Sequence, residues 1–423
     1  MNRTIAPPVQ ALKYFDLQES QSRTLQNGIK LHTLSAGTQE VIRIEVVFDA
    51  GSKLEHTAGA AFMVNKMLQE GTEKYSAFQL QEEIASLGAF IEINQGVERL
   101  NITFYVLNKF VSQLLPIIQE IIYNSTFPQE NFENIINITK NNLKINLQKN
   151  SVVASQEFKK TLFGNNHYYG HTITTEELSC ISLKDAYTHY QNFVQGRMCE
   201  VFVSGYLTEE IESKINDFFA QLPVQPILGH KTRKPIENIP SQKVLIEKPE
   251  ALQSSIRLGK VMFNRTHTDF FELVLVNEIL GGYFGSRLMK NIREEKGLTY
   301  GISSQLVSLE ETGYFIVGTD VKRENTQLAI DEIYKEIEIL KKELVSADEL
   351  HTVVNYMHGS FLGSINSAFA LMDKFKTLYY YGLDYSYYKN YIQNINQSSA
   401  EKVLSTANKH LNDLSEIVVG NYY

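Results

Sequence analysis

One order of elements is written twice along these 423 residues, and that repeat limits the fold more than any single motif. Early in the chain, Asn27-Gly28 signals a turn and is followed by the short apolar run Ile29–Leu34. Ile42, Ile44, Val46 and Phe48 then alternate with Arg43, Glu45 and Val47, which predicts a half-buried strand. A helix is expected from about Thr57 to Glu70, stopped by Gly71, and a second from a Ser76/Gln79 capping box to Gly88. Strands near 89–95 and 99–107 come next. Helices follow near 109–123, with Pro116 kinking or restarting the first, near 129–149 and near 183–193, and the strand EVFVSG (200–205) closes the half.

The second half runs in the same order. Strands at 244–247 and 255–263 precede a helix at about 268–280, the loop GGYFGS, and a further helix to Lys296. Strands near 299–307 and 314–321, helices near 324–343, 347–381 and 399–411, and the strand EIVVG (416–420) complete it. Ile44 and Ile256, like Gly205 and Gly420, recur at a spacing of roughly 210 residues. Between the halves, residues 222–242 hold four of the nine prolines. The expected architecture is α+β: a tandem duplication of two homologous α/β domains, each a mainly antiparallel sheet with helices packed on one face. The expected domains are 1–222 and 243–423, joined by a linker at 223–242.

Composition removes several functions. No run of eighteen apolar residues is present, so no membrane-spanning helix is expected. The net charge of −8, without a basic stripe, argues against nucleic acid as a partner. Cys180 and Cys199 are the only cysteines, too few for a disulfide framework or a four-cysteine zinc site. With no basic-then-apolar leader at the N-terminus, they point to the cytoplasm and leave the periplasm open.

Two segments carry chemistry. In GAAFMVNKMLQEGT (59–72), positions 62, 65 and 66 share one helix face, the arrangement two metal ligands and an intervening carboxylate need. This segment resembles the insulinase/pitrilysin-type zinc peptidases, whose inverted motif is HxxEH. Here the ligand positions hold Phe62 and Lys66 and the general-base position holds Asn65. Phe offers no donor, Lys brings a repelling charge, and Asn cannot take a proton from water. The family's third ligand is a glutamate on a later helix, matched here to 129–149. There Ile135, Ile138, Asn142 and Ile145 are read as an inward stripe, and Asn142, or Asn141 beside it, stands near the glutamate's place.

The second segment, LGGYFGSRLMKNIREEKGLTYGISS (280–304), resembles the C-terminal half of the same family, with Arg293 and Tyr300 seven positions apart after a glycine-rich loop. The resemblance implies that Arg293 holds a substrate carbonyl or carboxylate with its fork of donors, and that Tyr300 stabilises the oxyanion of the tetrahedral intermediate. It implies that Gly281, Gly282 and Arg287 meet substrate, with loop ordering as the alternative role for Arg287. His167 and His171 in HYYGH (167–171) read as a structural loop, and His351 and His358 as ordinary helix residues. The strand at 89–95 is a possible edge for an extended peptide.

The resemblance spans nearly the whole chain. It implies the processing-peptidase-like fold and the role of an Arg/Tyr-bearing subunit that needs no cofactor of its own. Zinc would sit in an HxxEH-bearing homologous partner, giving a heterodimer, with a homodimer as the form in isolation and a peptide as substrate. The mitochondrial processing peptidase divides labour in this way. Two alternatives stay open at this stage. One is a catalytically inactive scaffold or peptide-binding subunit, like the core subunits of the cytochrome bc₁ complex. The other is a self-sufficient enzyme with a different site.

Overall fold

The computed structural model describes residues 15–226 and 234–421. The first half contains β1 (Gln21–Thr24), β2 (Lys30–Ser35), β3 (Val41–Phe48), α1 (Ala60–Met67), α2 (Ala77–Ser86), β4 (Phe90–Gln95) and β5 (Leu100–Leu107). It continues through α3 (Val111–Tyr123), α4 (Gln129–Gln148), α5 (Asn150–Phe163), α6 (Thr175–Cys180), α7 (Leu183–Phe193), β6 (Glu200–Gly205) and α8 (Glu209–Gln221). The second half contains β7 (Lys243–Glu247), β8 (Gln253–Met262), α9 (Phe270–Asn277), β9 (Thr299–Ser308) and β10 (Gly313–Lys322). It ends with α10 (Thr326–Lys342), α11 (Ala347–Gly363), α12 (Ala368–Tyr380), α13 (Ser386–Asn396), α14 (Ala400–His410) and β11 (Ser415–Gly420).

The duplication is visible in the strand orders. The first sheet runs β1-β2-β6-β3-β5-β4 and the second β7-β11-β8-β10-β9. Apart from β1, the two orders are the same. In each, the half's closing strand pairs in parallel with its early strand (β2 with β6, β7 with β11), and every other pairing is antiparallel. β4 and β9 are equivalent outer strands, so the segment near 89–95 does lie at a sheet edge.

Each half builds its main core between one sheet face and its own helices. Ile42, Ile44, Val46, Phe104 and Val203 pack with Met63, Val64, Ile118 and Tyr190 in the first. Ile256, Leu258, Phe315 and Val317 pack with Leu273, Ile279, Ile330 and Ile333 in the second. The other face of each sheet is covered by a helix from the opposite half. Helix α5 lies on β8 and β11, where Phe158, Leu162 and Ala154 meet Ile417 and Val419. Helix α12 lies on β2 and β6, where Met372 and Ala368 meet Leu34, Val47 and Phe202.

This reciprocal clasp changes the reading of β3. Alternation predicts that Arg43, Glu45 and Val47 face water, yet all three are buried. Their face lies under α12, and the charges are matched across the halves. Arg43 donates to Asp373 at 2.7 Å and pairs with Glu45 at 3.0 Å, while Lys376 reaches Glu45 at 2.6 Å. Charges this far from water persist only when paired in this way.

Other differences are local. The expected single helix at 347–381 is two, because α11 stops at Gly363 and Ser367 caps α12. Pro116 lies inside α3 without ending it. β1, α5, α6, α8 and α13 are elements the pattern missed. Of the stripe expected on α4, Ile135 does pack against the core, but Ile138, Asn142 and Ile145 are exposed. The inward line runs through Phe132, Ile135, Ile136 and Leu143.

His32 sits inside the clasp. Its ring lies 4.7 Å from Phe202 and 4.6 Å from Tyr379, and its Nδ1 is 2.7 Å from the Ser22 hydroxyl. Burial, with the Lys30 charge nearby, lowers its pKa from 6.5 to about 4. A depressed folded-state value means that the unfolded chain binds the proton more readily. The stability due to neutral His32 is therefore complete above about pH 6.5 and is lost as pH falls towards 4. Melting temperatures measured between pH 7 and pH 4 should fall less steeply in His32→Phe than in the parent. Parallel slopes would remove His32 as a source of acid sensitivity.

Candidate functional site

The metal-motif positions lie on α1. Phe62 is half-buried against the first core, and the exposed Lys66 ammonium sits 5.6 Å from its ring centre. Asn65 is half-buried. Helix α4 packs on α1, but Asn141 and Asn142 are both exposed on it. An aromatic ring, an amide and an ammonium do not make a zinc donor set, so the residues here do not fit the metal. Among the described residues no group of three His, Cys, Asp or Glu side chains could hold a metal ion. His167 accepts from the Tyr169 N–H at 3.1 Å and His171 meets Glu177 at 2.9 Å, so both serve their own loop. His351 contacts Asn355 on its own helix.

The second constellation is built differently. From Glu278 to Gly282 and again from Met289 to Glu295, the helix opens into wide i→i+5 turns on either side of the loop. Wide turns inside helices recur at functional sites because they redirect side chains. The second such segment is anchored by Asn291, whose amide donates to Glu332 at 2.9 Å and Glu336 at 2.6 Å on α10 and accepts from Lys296 at 2.6 Å. Gly297, at φ 62°, then reverses the chain into β9, as a left-handed residue after a helix does. The result sets Arg293 beside Tyr300.

The Arg293 guanidinium carbon lies 5.2 Å from the Tyr300 ring centre and 4.8 Å from that of Phe284. Two rings therefore flank the guanidinium within cation–π distance, and its N–H groups are what it can offer a ligand. No carboxylate pairs with Arg293 among the described residues. Tyr300 is 91% exposed, at the start of an edge strand. It borders a cleft of about 820 Å³ on the uncovered part of the second sheet, with Arg257, Ser303, Gln305, Asp320 and Lys322.

The supporting residues are held within the loop. Arg287 is tied to Glu349 by two bonds of 2.9 Å and is largely buried, which ties the loop to α11 and fits the loop-ordering alternative for this residue. Gly281 is buried, and a Cβ there would come within 2.7 Å of the Ser304 backbone nitrogen. Its role is to let the loop press on β9. Gly282 lies half-buried against the Glu278 carboxyl, whose pKa burial raises. The residue that sequence reasoning passed over is Phe284. The available signal was an apolar side chain at the tip of a glycine-rich loop, 63% exposed in the structure.

The fold and sequence have known relatives. Residues 31–176 match the family model described as insulinase (peptidase family M16), and residues 181–357 match the one described as peptidase M16 inactive domain. An uncharacterized zinc protease, YmxG, from Bacillus subtilis is 22% identical over 83% of this chain and 86% of its own length. A non-peptidase homolog, YmxG, from Helicobacter pylori is 22% identical over 89% of this chain and 88% of its own. The crystal structure of a peptidase M16 inactive domain from Pseudomonas fluorescens superposes with a TM-score of 0.86 at 24% identity, covering 95% of this chain and 98% of that one. With both halves matched in order and a duplicated sheet topology to carry them, the chain belongs to the insulinase family of peptidases, peptidase family M16.

Proposed function

We propose that this chain is the subunit without zinc in a two-subunit peptidase, and that it supplies Arg293 and Tyr300 to a site completed by an HxxEH-bearing homologous partner. One observation carries the reading: a guanidinium flanked by two rings, with no carboxylate partner among the described residues, beside an exposed phenol. A structural arginine is normally spent on a carboxylate, as Arg287 is on Glu349. Arg293 keeps its donors in a fixed plane that suits a planar acceptor such as a peptide carbonyl.

The chain's part in cleavage follows from these groups. The Arg293 fork orients the carbonyl next to the scissile bond. The Tyr300 hydroxyl donates a hydrogen bond to the oxygen on which negative charge develops. The ring stack and the anchored loop hold both groups before substrate arrives, which reduces the ordering cost of binding. All metal chemistry belongs to the partner. The substrate is an extended peptide, and the cleft beside Tyr300 is where part of it would lie.

The reading is tested by mixing the chain with the HxxEH-bearing homologue from the same genome and following a quenched fluorescent peptide. Hydrolysis is expected in the mixture and not from this chain alone. A stable complex without hydrolysis would favour the second reading, a peptide-binding scaffold of the same fold. That reading draws on the relative named a non-peptidase homolog and on the absence, among the described residues, of any His, Cys, Asp or Glu group that could hold a metal.

A further inference from the structure

We propose that Phe284 selects the substrate: it forms an apolar shelf for an aliphatic or aromatic side chain flanking the scissile bond. This rests on the reading of Arg293 and Tyr300 above and adds a residue that reading does not use. Phe284 turns one face to Arg293, yet it remains 63% exposed. A large apolar ring held out to water beside a binding site is a feature of recognition surfaces.

The loop that bears the ring is also held in place. The Ser286 N–H bonds back to the Tyr283 carbonyl at 3.1 Å, Arg287 is locked to Glu349, and Gly281 seats the loop on β9. An apolar contact that is already fixed loses little freedom on binding. The spacing fits a peptide. Adjacent residues of an extended chain are about 3.3 Å apart. The Phe284 ring centre stands 4.8 Å from the Arg293 guanidinium carbon. A side chain one residue from a carbonyl held by Arg293 therefore falls within reach of the ring. The Tyr300 ring, 5.2 Å from the same guanidinium carbon, adds to the apolar surface there. Small or charged residues at that position would leave the shelf bare or bury a charge against it.

The experiment uses the complex with the HxxEH-bearing homologue and peptides that differ only in carrying Ala, Leu or Phe at each position flanking the cleaved bond. The wild-type complex is expected to prefer Leu and Phe over Ala at one flanking position by roughly 10–100-fold in kcat/KM, the range an apolar pocket can supply. In Phe284→Ala that ratio should collapse towards one, mainly through KM, and Phe284→Leu should recover most of the preference for Leu. If Phe284→Ala slows all three peptides equally and the ratio survives, the ring serves only to brace Arg293 and the proposal is overturned. A wild-type complex that cleaves without side-chain preference overturns it too, while leaving the Arg293/Tyr300 reading in place. A wild-type complex that cleaves none of the peptides overturns that reading, and the proposal with it.

Discussion

Replacing Tyr300 by Phe in the complex lowers kcat by roughly 10²–10³, the usual cost of removing one oxyanion donor. The substitution keeps the ring, so the stack on Arg293 survives and KM changes little. Arg293→Ala acts on both parameters, because its fork would hold the substrate in the ground state as well as beyond it. Neither residue is buried in a core, and Tyr300 is 91% exposed, so both variants should melt with the parent. That separation matters for the reading. A loss of rate at unchanged stability identifies a chemical role, whereas a Tyr300→Phe complex as fast as the parent would remove the phenol from the mechanism.

The largest expected effect on stability lies elsewhere, in the clasp. Phe158 belongs to the first half but packs on the second half's sheet, directly over Gly259, and is 1% exposed. Phe158→Ala should cost about 3–5 kcal/mol, the usual range for a fully buried phenylalanine whose cavity cannot collapse. Unfolding in denaturant should remain one transition, because each half covers a sheet face of the other. A loss below about 1 kcal/mol, or two separated transitions, would show that the halves are stable independently and that α5 is a loose cover.

These two predictions sit on opposite sides of what the sequence can express. The strands and the early helices were legible because their signals are local: alternation in 42–48, helix capping at Ser76, turn glycines between strands. The duplicated order was legible for the same reason. The clasp was not, since nothing near Arg43 or Glu45 announces that a helix more than three hundred residues away will cover them. Their pattern is that of a half-exposed strand, and only the pairing with Asp373 and Lys376 reveals the burial.

The site divides in the same way. Arg293 and Tyr300 could be singled out only through the family resemblance of their spacing and surroundings, and the same resemblance picks out Phe62, Asn65 and Lys66 as positions without zinc donors. The parts of Arg287, Gly281 and Phe284 depend on how the loop folds back on β9 and α11. That geometry commits Arg287 to Glu349 and leaves Arg293, among the described residues, without a carboxylate. Asn142 shows the opposite failure. Helical spacing gave a stripe but not its direction, and the side chain faces outward.

The central claim is that this chain contributes donors and the partner contributes metal. Titrating the chain into a fixed amount of its HxxEH-bearing homologue, with metal analysis at each point, tests it most directly. The account predicts peptide hydrolysis that rises and saturates at one equivalent, zinc that follows the homologue alone, and no zinc retained by this chain in isolation. Stoichiometric zinc in the isolated chain, or hydrolysis by it without the partner, would contradict the account.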